Sequence, residues 1–293
     1  MKDFKGIAYA IIAAITFGLI PMFAVPVLKA GNIDTVSVLF YRFLFGAVIM
    51  GFLTILAGRS FKIKPKELVT LSMFGLSYTF TALGLLYSYN LIPSGIATTI
   101  HSMYPITVTV FSIVFLKEKV SPKVLLAILG CITGVFLMCW SSGATSILGI
   151  VIVSSTVISY TAYLLMMSKS SIKNLDPMPL NFYVMGFAAL AVFSISPLLT
   201  PDGIAPITVR SDFINLLLLA LIPTVISNIV LIMAVKRAGA TKTAIMGSFE
   251  PVAALAVGVV YFNEVLTSTG VLGFIIILVS ITFVIIQSTK HKA

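Results

Sequence analysis

Charged residues are scarce in this sequence, and acidic residues are the scarcest. Only 10% of the 293 residues are charged and nine are Asp or Glu, whereas 59% are hydrophobic. A soluble domain carries about 25% charged residues, so this composition could not cover a surface that faces water. The shortage of charge therefore excludes an ordinary soluble globular protein.

The side chains and motifs that build catalytic or metal centres are also rare. The chain has two histidines and two cysteines, and it contains no P-loop, no His-Glu-x-x-His and no Gly-x-Gly-Asp pair. His101 is far in sequence from His291, and no cysteine is close to either. Cys131 and Cys139 lie roughly 12 Å apart along one predicted helix, too far for a disulfide. We therefore predict no metal site, no cofactor and no enzymatic activity.

Long apolar runs account for most of the chain. Ten runs of about 20 residues recur, which is the length that crosses a bilayer as a helix. They lie at residues 6–28, 35–57, 67–90, 93–116, 122–140, 146–167, 178–199, 211–235, 238–261 and 267–287. We predict an all-α integral membrane protein with ten transmembrane helices. The first run is too long for the apolar core of a cleaved signal peptide.

The net charge of +10 reflects membrane orientation. With the N-terminus inside, Lys29 and Arg210 fall outside and Arg42 falls within the second span, so 16 of the 19 basic residues are cytoplasmic. Short loops rich in Lys and Arg stay in the cytoplasm. We predict that the N- and C-termini are cytoplasmic. We also predict that this basic chain contacts lipid and does not bind nucleic acid. The composition favours a multi-pass protein of a prokaryotic cell (inner) membrane.

The two halves of the sequence repeat one another. The stretch "HSMYPITVTVFSIVFLKEKVS", from His101, aligns with "GSFEPVAALAVGVVYFNEVLT", from Gly247, at a constant offset of 146 residues. Both contain the pattern Ser-x-x-Pro-x12-Glu. We predict two five-helix repeats, residues 1–140 and 146–288. Because five is odd, the second repeat enters the membrane from the opposite side, an inverted arrangement common in secondary transporters.

These features together resemble the EamA-type transporters of the drug/metabolite transporter superfamily, over nearly the whole chain. The matching residues are Phe17, Gly18, Arg42, Pro105, Glu118, Gly134, Pro251, Glu264 and Gly273. The resemblance implies a ten-helix fold whose central cavity is lined by spans one, three, four, six, eight and nine. It also implies small-metabolite substrates, ranging over amino acids, amines and nucleotide precursors.

Glu250 is the carboxylate nearest the middle of a predicted span, at position 13 of 24. A charge at this depth costs roughly 2.5–3.5 kcal/mol and usually faces a cavity. A carboxyl group withdrawn from water favours its neutral form, so we expect Glu250 to bind and release a proton near neutral pH. The alternative is a permanently protonated side chain hydrogen-bonded to the helix backbone.

Several polar residues are predicted to share a substrate site with this carboxylate. Tyr104 occupies the position equivalent to Glu250 in the first repeat, and His101, one turn earlier, could share the proton transfer. Tyrosine rings can contact an amine through cation–π interactions. The alternative for each of these side chains is a packing role. The predicted substrate-binding set is Tyr78, His101, Tyr104, Tyr160, Tyr163, Asn228 and Glu250, with Glu250 and His101 as proton-coupling residues.

The repeated prolines and glutamates are predicted to kink helices and to act at the gates. Pro251 deprives the carbonyl near residue 247 of its usual donor. The two glutamates precede predicted N-caps by three residues, where a negative charge suits the positive end of the following helix. The predicted kink and gate residues are Pro105, Pro251, Glu118 and Glu264.

Two further features have open interpretations. Arg42 is close enough to the outer surface to extend its charge into water, so we expect a structural charge, in an ion pair or at the interface; the alternative is a binding residue for an acidic substrate. The pair Gly130 and Gly134 could form a homodimer contact, or could pack within the bundle.

We predict from these observations a secondary active transporter that works by alternating access. One cavity carboxylate, several tyrosines and no deeply placed lysine favour an amino acid or amine over a phosphate. Proton-coupled efflux is the favoured direction. Proton-coupled or facilitated uptake is the alternative, and a non-transporting membrane scaffold is a remote one. The expected partners are the small-molecule substrate, protons and the bilayer.

Overall fold

The structure is a computed structural model that describes residues 2–104, 106–107, 110–111, 122–141, 146–169, 175–247 and 249–290. Every regular element in these ranges is helical. Two of the predicted gate residues, Pro105 and Glu118, lie outside the described residues.

The helices follow the predicted spans, several of which are interrupted. In the first half they are α1 (Lys2–Gly18), α2 (Ile20–Ala30), α3 (Thr35–Leu56), α4 (Pro65–Ser88), α5 (Ser94–His101) and α6 (Pro122–Ser141). In the second half they are α7 (Ile147–Lys169), α8 (Pro177–Leu199), α9 (Arg210–Ala220), α10 (Ser227–Met246), α11 (Phe249–Phe262) and α12 (Ser268–Lys290). A π-helical segment, Leu221–Ile226, joins α9 to α10.

Several helices start where a short polar side chain can satisfy their first N–H groups. Asp34 accepts two backbone N–H bonds in the first turn of α3, at 2.8 and 3.0 Å. Asp176 accepts one in the first turn of α8, at 3.0 Å. At the start of α4, the Glu67 carboxylate accepts the Lys64 N–H at 2.7 Å. Each contact satisfies a donor that the helix itself leaves unpaired.

The described helices have the length and composition of membrane spans. Five are long and apolar enough to cross a bilayer: Lys5–Ala30, Thr35–Leu56, Pro65–Ser88, Pro177–Leu199 and Arg210–Ala234. Shorter apolar helices are Leu126–Met138, Ile147–Tyr163, Phe249–Phe262 and Ser268–Phe283. Large apolar side chains such as Leu198 and Val260 are more than 80% exposed. An outward-facing apolar surface of this kind is what lipid solvates, so the protein is a multi-pass membrane protein.

Helices of one half pack chiefly against helices of the other. The pairs that give each span one partner in the other half are α1 with α10, α3 with α8, α4 with α7, α5 with α11, and α6 with α12; α4 also packs against α8 and α1 against α11. In terms of the predicted spans, span 1 pairs with span 8, span 2 with span 7, span 3 with span 6, span 4 with span 9, and span 5 with span 10. Exchanging the two sets of five spans leaves this set of pairs unchanged.

The first predicted span is broken in its middle. The helix ends at Gly18 and restarts at Ile20, and Pro21, in the first turn of α2, has no N–H to bond to the preceding turn. The break touches α11. A Cβ added to Gly18 would lie 2.6 Å from the carbonyl oxygen of Glu250, so only glycine permits this approach.

The boundary between the predicted eighth and ninth spans is displaced. The sequence suggested an interruption at residues 236–237, but α10 is helical through them to Met246, and the break falls at Gly247. Residues 236–237 are Lys and Arg, which favour helix. Gly247 precedes α11, and Pro251 lies in the first turn of α11. Glycine and proline both favour a break in a helix.

The Gly130 and Gly134 face is occupied within the chain. A Cβ on Gly134 would lie 2.6 Å from the carbonyl oxygen of Gly273 on α12, and a Cβ on Gly130 would lie 2.6 Å from the Ser280 hydroxyl. The sequence allowed either a homodimer contact or packing within the bundle at this face, and the structure shows packing within the bundle. This face is covered by α12 and is not open to a second copy of the chain.

We predict that Gly134→Ala lowers the free energy of unfolding by about 1–3 kcal/mol, the usual effect of overpacking. The added methyl group forces α6 away from α12. The matched control is Gly186→Ala, on α8, where a Cβ would meet nothing within 4 Å; it should be neutral or stabilising by up to about 1 kcal/mol. Unfolding in mixed detergent micelles measures both. Equal stabilities for the two variants would contradict the close contact.

Candidate functional site

A cavity of about 310 Å³ lies between the two halves. This volume is at the lower end of small-molecule sites, which span about 300–1,000 Å³. The apolar part of its lining is Ala10, Ala14, Phe17, Ile20, Ala82, Leu85, Leu231 and Gly247. The part that carries polar groups is Arg42, Tyr78, Thr81, His101, Tyr104, Tyr160, Thr243 and Glu250. These residues come from the six spans that the resemblance implies, with Arg42 added from the second.

Five of the seven residues predicted to bind substrate line this cavity: Tyr78, His101, Tyr104, Tyr160 and Glu250. The other two do not. The Asn228 amide donates to the carbonyl oxygen of Thr224, one turn earlier on its own helix, at 2.6 Å. Tyr163 stacks on Tyr160 with ring centroids 5.7 Å apart and packs edge-on against Phe74. It therefore supports a cavity residue from outside the lining.

Tyr160 is the centre of an aromatic wall. Its ring lies edge-on to Tyr104 with centroids 4.9 Å apart, and 5.4 Å from the His101 ring. Tyr163 is stacked behind it at an interplanar angle of 9°. Such contacts hold the rings in fixed orientations, so this wall presents rigid aromatic faces and edges to the cavity.

Glu250 lies in the first turn of α11 and is partly exposed, to the cavity. Its N–H donates to the Gly247 carbonyl oxygen at 2.9 Å. That carbonyl, which Pro251 was expected to leave without a donor, is therefore satisfied. The carboxylate itself has no hydrogen bond or ion pair to the described residues. The alternative from the sequence analysis, a Glu250 side chain hydrogen-bonded to the helix backbone, is not found among the described residues.

His101 ends α5, and a hydroxyl group determines its tautomer. Its Nδ1 lies 2.8 Å from Thr156 Oγ1, and Thr156 donates its single hydroxyl proton to the Val153 carbonyl oxygen at 2.6 Å. The Thr156 oxygen can then only accept, so Nδ1 of His101 carries a proton. In the neutral ring Nε2 is unprotonated, and within the described residues it has no hydrogen-bond partner. Nε2 is therefore the nitrogen at which the ring can take up a further proton.

The depth of Arg42 in the second span had suggested a position at the membrane interface, but the side chain is buried. It is 2% exposed, lines the cavity, and donates from Nε to Thr224 Oγ1 at 3.1 Å. No described carboxylate lies within 4 Å of it. Because α3 packs against α8 and α9, protein surrounds this face of the helix. The prediction of a snorkelled or ion-paired charge is therefore wrong for the described part of the chain.

Glu264 caps a helix of the other half. Its carboxylate accepts the Ser94 N–H at 2.9 Å, the Ser94 hydroxyl at 2.8 Å and the Gly95 N–H at 3.3 Å, at the start of α5. The prediction that it supports the following helix, α12, is wrong. Asn263, with a φ of 53°, turns the chain toward α5. A Cβ on Gly258 would collide with the carboxylate, so glycine makes room for it.

Metal ligands are not assembled in this region. The described residues contain no group of three or more His, Cys, Asp or Glu side chains that could hold a metal ion. The arrangement instead offers one carboxylate, one guanidinium and one imidazole around an aromatic-walled space. These groups can bind a small charged or zwitterionic molecule and exchange protons.

We predict that Thr156→Val removes the preference of His101 for a protonated Nδ1. Without an acceptor at 2.8 Å, the buried N–H loses a bond worth about 1–3 kcal/mol, and the other tautomer becomes populated. The measurement is the ¹⁵N chemical shift of the His101 ring in detergent-solubilised protein. The control is Thr161→Val, on the same helix, whose hydroxyl lies against Thr107. An unchanged tautomer ratio in Thr156→Val would contradict the assignment.

Known proteins resemble this chain in sequence and in fold. The EamA-like transporter family matches it twice, over residues 4–140 and 147–286. An uncharacterized transporter of Archaeoglobus fulgidus is 26% identical over 277 residues, 94% of each protein. A solved crystal structure superposes with a TM-score of 0.67 at 14% identity, covering 100% of this chain and 99% of that one, which shows a shared fold. Because the family match extends over both halves, the chain belongs to the EamA-like transporter family.

Proposed function

We propose that the protein is a secondary active transporter that exports a small molecule bearing an amino group in exchange for protons. The observation that carries this proposal is Glu250. It is a carboxylate without a partner among the described residues, at the wall of a cavity between two halves of a membrane transporter. An amino acid or an amine is the substrate class that such a group attracts.

The proposed architecture is two inverted repeats of five transmembrane helices, residues 1–140 and 146–288, in a prokaryotic inner membrane. Both termini are cytoplasmic. The set of helix pairs, unchanged when the halves are exchanged, supports a two-fold relation between the repeats. The distribution of Lys and Arg supports the orientation. In this arrangement one repeat can rock against the other around a fixed central site.

Proton exchange at Glu250 links the two fluxes. On the cytoplasmic side the ionised carboxylate binds the ammonium group of the substrate, and Tyr104 and Tyr160 add cation–π contacts worth about 0.5–2 kcal/mol. On the outer side a proton taken up by the carboxylate removes the charge that held the substrate. The substrate leaves, the neutral site returns, and the proton is released inside. His101 Nε2, in the same cavity, can pass protons to and from this site.

The contact between Glu264 and α5 is the proposed outer gate. Lys29, which the charge pattern assigns to the outside, lies over the Phe262 ring at 5.4 Å, so Glu264 is near the outer end of the bundle. The contact joins the two halves there and must break for the cavity to open outward. The repeat assigns the equivalent inner role to Glu118, and Pro105 and Pro251 the role of kinking the gate helices.

We predict that Glu250→Gln abolishes substrate-driven proton flux. Sealed proteoliposomes with an internal pH dye, screened with amino acids, amines and nucleosides, measure the flux and its direction. Gln keeps the side-chain size but cannot exchange a proton. The control is Glu67→Gln, which changes a carboxylate in the first turn of α4, about three helical turns before Tyr78, the first cavity residue on that helix. Equal flux in wild type and Glu250→Gln would exclude Glu250 as the coupling group. Movement of radiolabelled substrate without protons would contradict the exchange mechanism.

We predict that Glu264→Ala opens the outer side of the cavity. The carboxylate makes three hydrogen bonds, and a single bond to a charged group contributes about 1.5–3 kcal/mol, so labelling from outside should accelerate about tenfold or more. A membrane-impermeant thiol reagent reports this on Leu85→Cys in an otherwise cysteine-free protein. Glu67→Ala is the control, because Glu67 caps only its own helix. An unchanged labelling rate in Glu264→Ala would remove this contact from the gate.

A further inference from the structure

We propose that Arg42 binds the carboxylate of the transported molecule, so that the cavity selects an amino acid over the corresponding amine. This inference rests on the proposed transport function and narrows its substrate class. Its basis is the unused hydrogen-bonding capacity of a buried guanidinium group that lines the cavity.

The guanidinium group has donors to spare. An arginine side chain carries five N–H donors in a planar fork, and the described residues accept one hydrogen bond from Arg42, from Nε to Thr224. Every fully buried side-chain nitrogen or oxygen in the described part of the chain has a partner. The two terminal nitrogens of Arg42 have none there, so they retain accessible surface. For a residue in the cavity lining, that surface is the cavity.

The orientation of the fork is set by the π-helical segment. Thr224 is fully buried and donates its hydroxyl proton to the Leu219 carbonyl oxygen at 2.9 Å. Its oxygen can therefore only accept, and the donor it accepts from is Nε of Arg42. Pro223 has no N–H, and the wider turn of a π-helix, which is frequent at functional sites, accommodates it. Thr224 thereby holds one edge of the guanidinium and leaves the opposite edge free.

The charge of Arg42 also lacks a counter-charge. No described carboxylate is within 4 Å, and a buried charge without a partner is costly. A carboxylate that binds the free edge by two parallel N–H···O bonds would supply both the charge and the acceptors. Glu250, in the same cavity, offers the opposite charge to an ammonium group. A zwitterion complements both, whereas a phosphate dianion would be repelled by Glu250.

The test compares three molecules with one ring and different charged groups: L-phenylalanine, phenethylamine and 3-phenylpropanoate. The aromatic and apolar lining suits such a side chain; L-leucine, isopentylamine and 4-methylpentanoate form a second set. Binding to the purified protein is measured by calorimetry and transport by proton flux. We expect the amino acid of at least one set to bind roughly tenfold or more tightly than its amine or acid, since each charged contact contributes separately.

Arg42→Gln should weaken amino acid binding by roughly 10- to 100-fold and should not weaken amine binding, because the amine loses a like charge from the cavity; the retained amine binding shows that the variant is folded. Arg42→Lys, a point charge without the fork, should fall between. The control is Arg59→Gln, which changes an exposed arginine paired with Asp176. If Arg42→Gln loses both ligands, Thr224→Val decides: selective loss of the amino acid supports the inference, and equal loss of both overturns it.

The outcomes separate this inference from the proposed function. If amine and amino acid bind and move protons equally well in wild type and in Arg42→Gln, Arg42 is not the carboxylate site, and the transport proposal stands. If no member of either set binds or moves protons, and no compound in the wider flux panel does so, the proposed function fails and this inference fails with it.

Discussion

The cost of withdrawing charge from water governs the arrangement of this protein. With few acidic residues in the chain, each ionisable group inside the bundle must have a partner or face a cavity. Glu264 bonds to the N-terminus of α5, while Arg42 and Glu250 share the central cavity. Neither Arg42 nor Glu250 has a counter-charge within 4 Å among the described residues, and both face the same space. A ligand with one carboxylate and one ammonium group would supply a counter-charge to both Arg42 and Glu250.

The same constraint explains why the helix breaks occur where they do. Backbone N–H and C=O groups released by a break cannot face lipid and are tolerated only where protein or a water-filled space receives them. The first span breaks after Gly18, beside the backbone of Glu250, and another break falls at Gly247. Phe17, Ile20 and Gly247 all line the cavity. The irregular backbone and the charged side chains are therefore placed together.

The sequence was sufficient for features that depend on local pattern. Span length is a property of short windows, and the family match over each half confirms the duplication that the constant offset of 146 residues indicated. Midplane depth indicated Glu250 from sequence alone. The partners of the polar groups were not predictable in this way. Thr224 is 182 residues from Arg42, and Ser94 is 170 residues from Glu264. No local pattern specifies pairs at such separations, so Arg42 and Glu264 were assigned to the wrong surroundings.

The position of these long-range pairs has a consequence for alternating access. Arg42 with Thr224, and Glu264 with Ser94, each join a helix of one half to a helix of the other. In the proposed mechanism one half rocks against the other, so contacts at the outer end would have to separate, whereas contacts beside the central axis would move least. Glu264, which bonds across the halves near the proposed outer end, would then gate the cavity. Arg42 and Glu250 line the central space and would keep their relation to a bound molecule throughout the proposed cycle, which is the property that a transported substrate requires of its site.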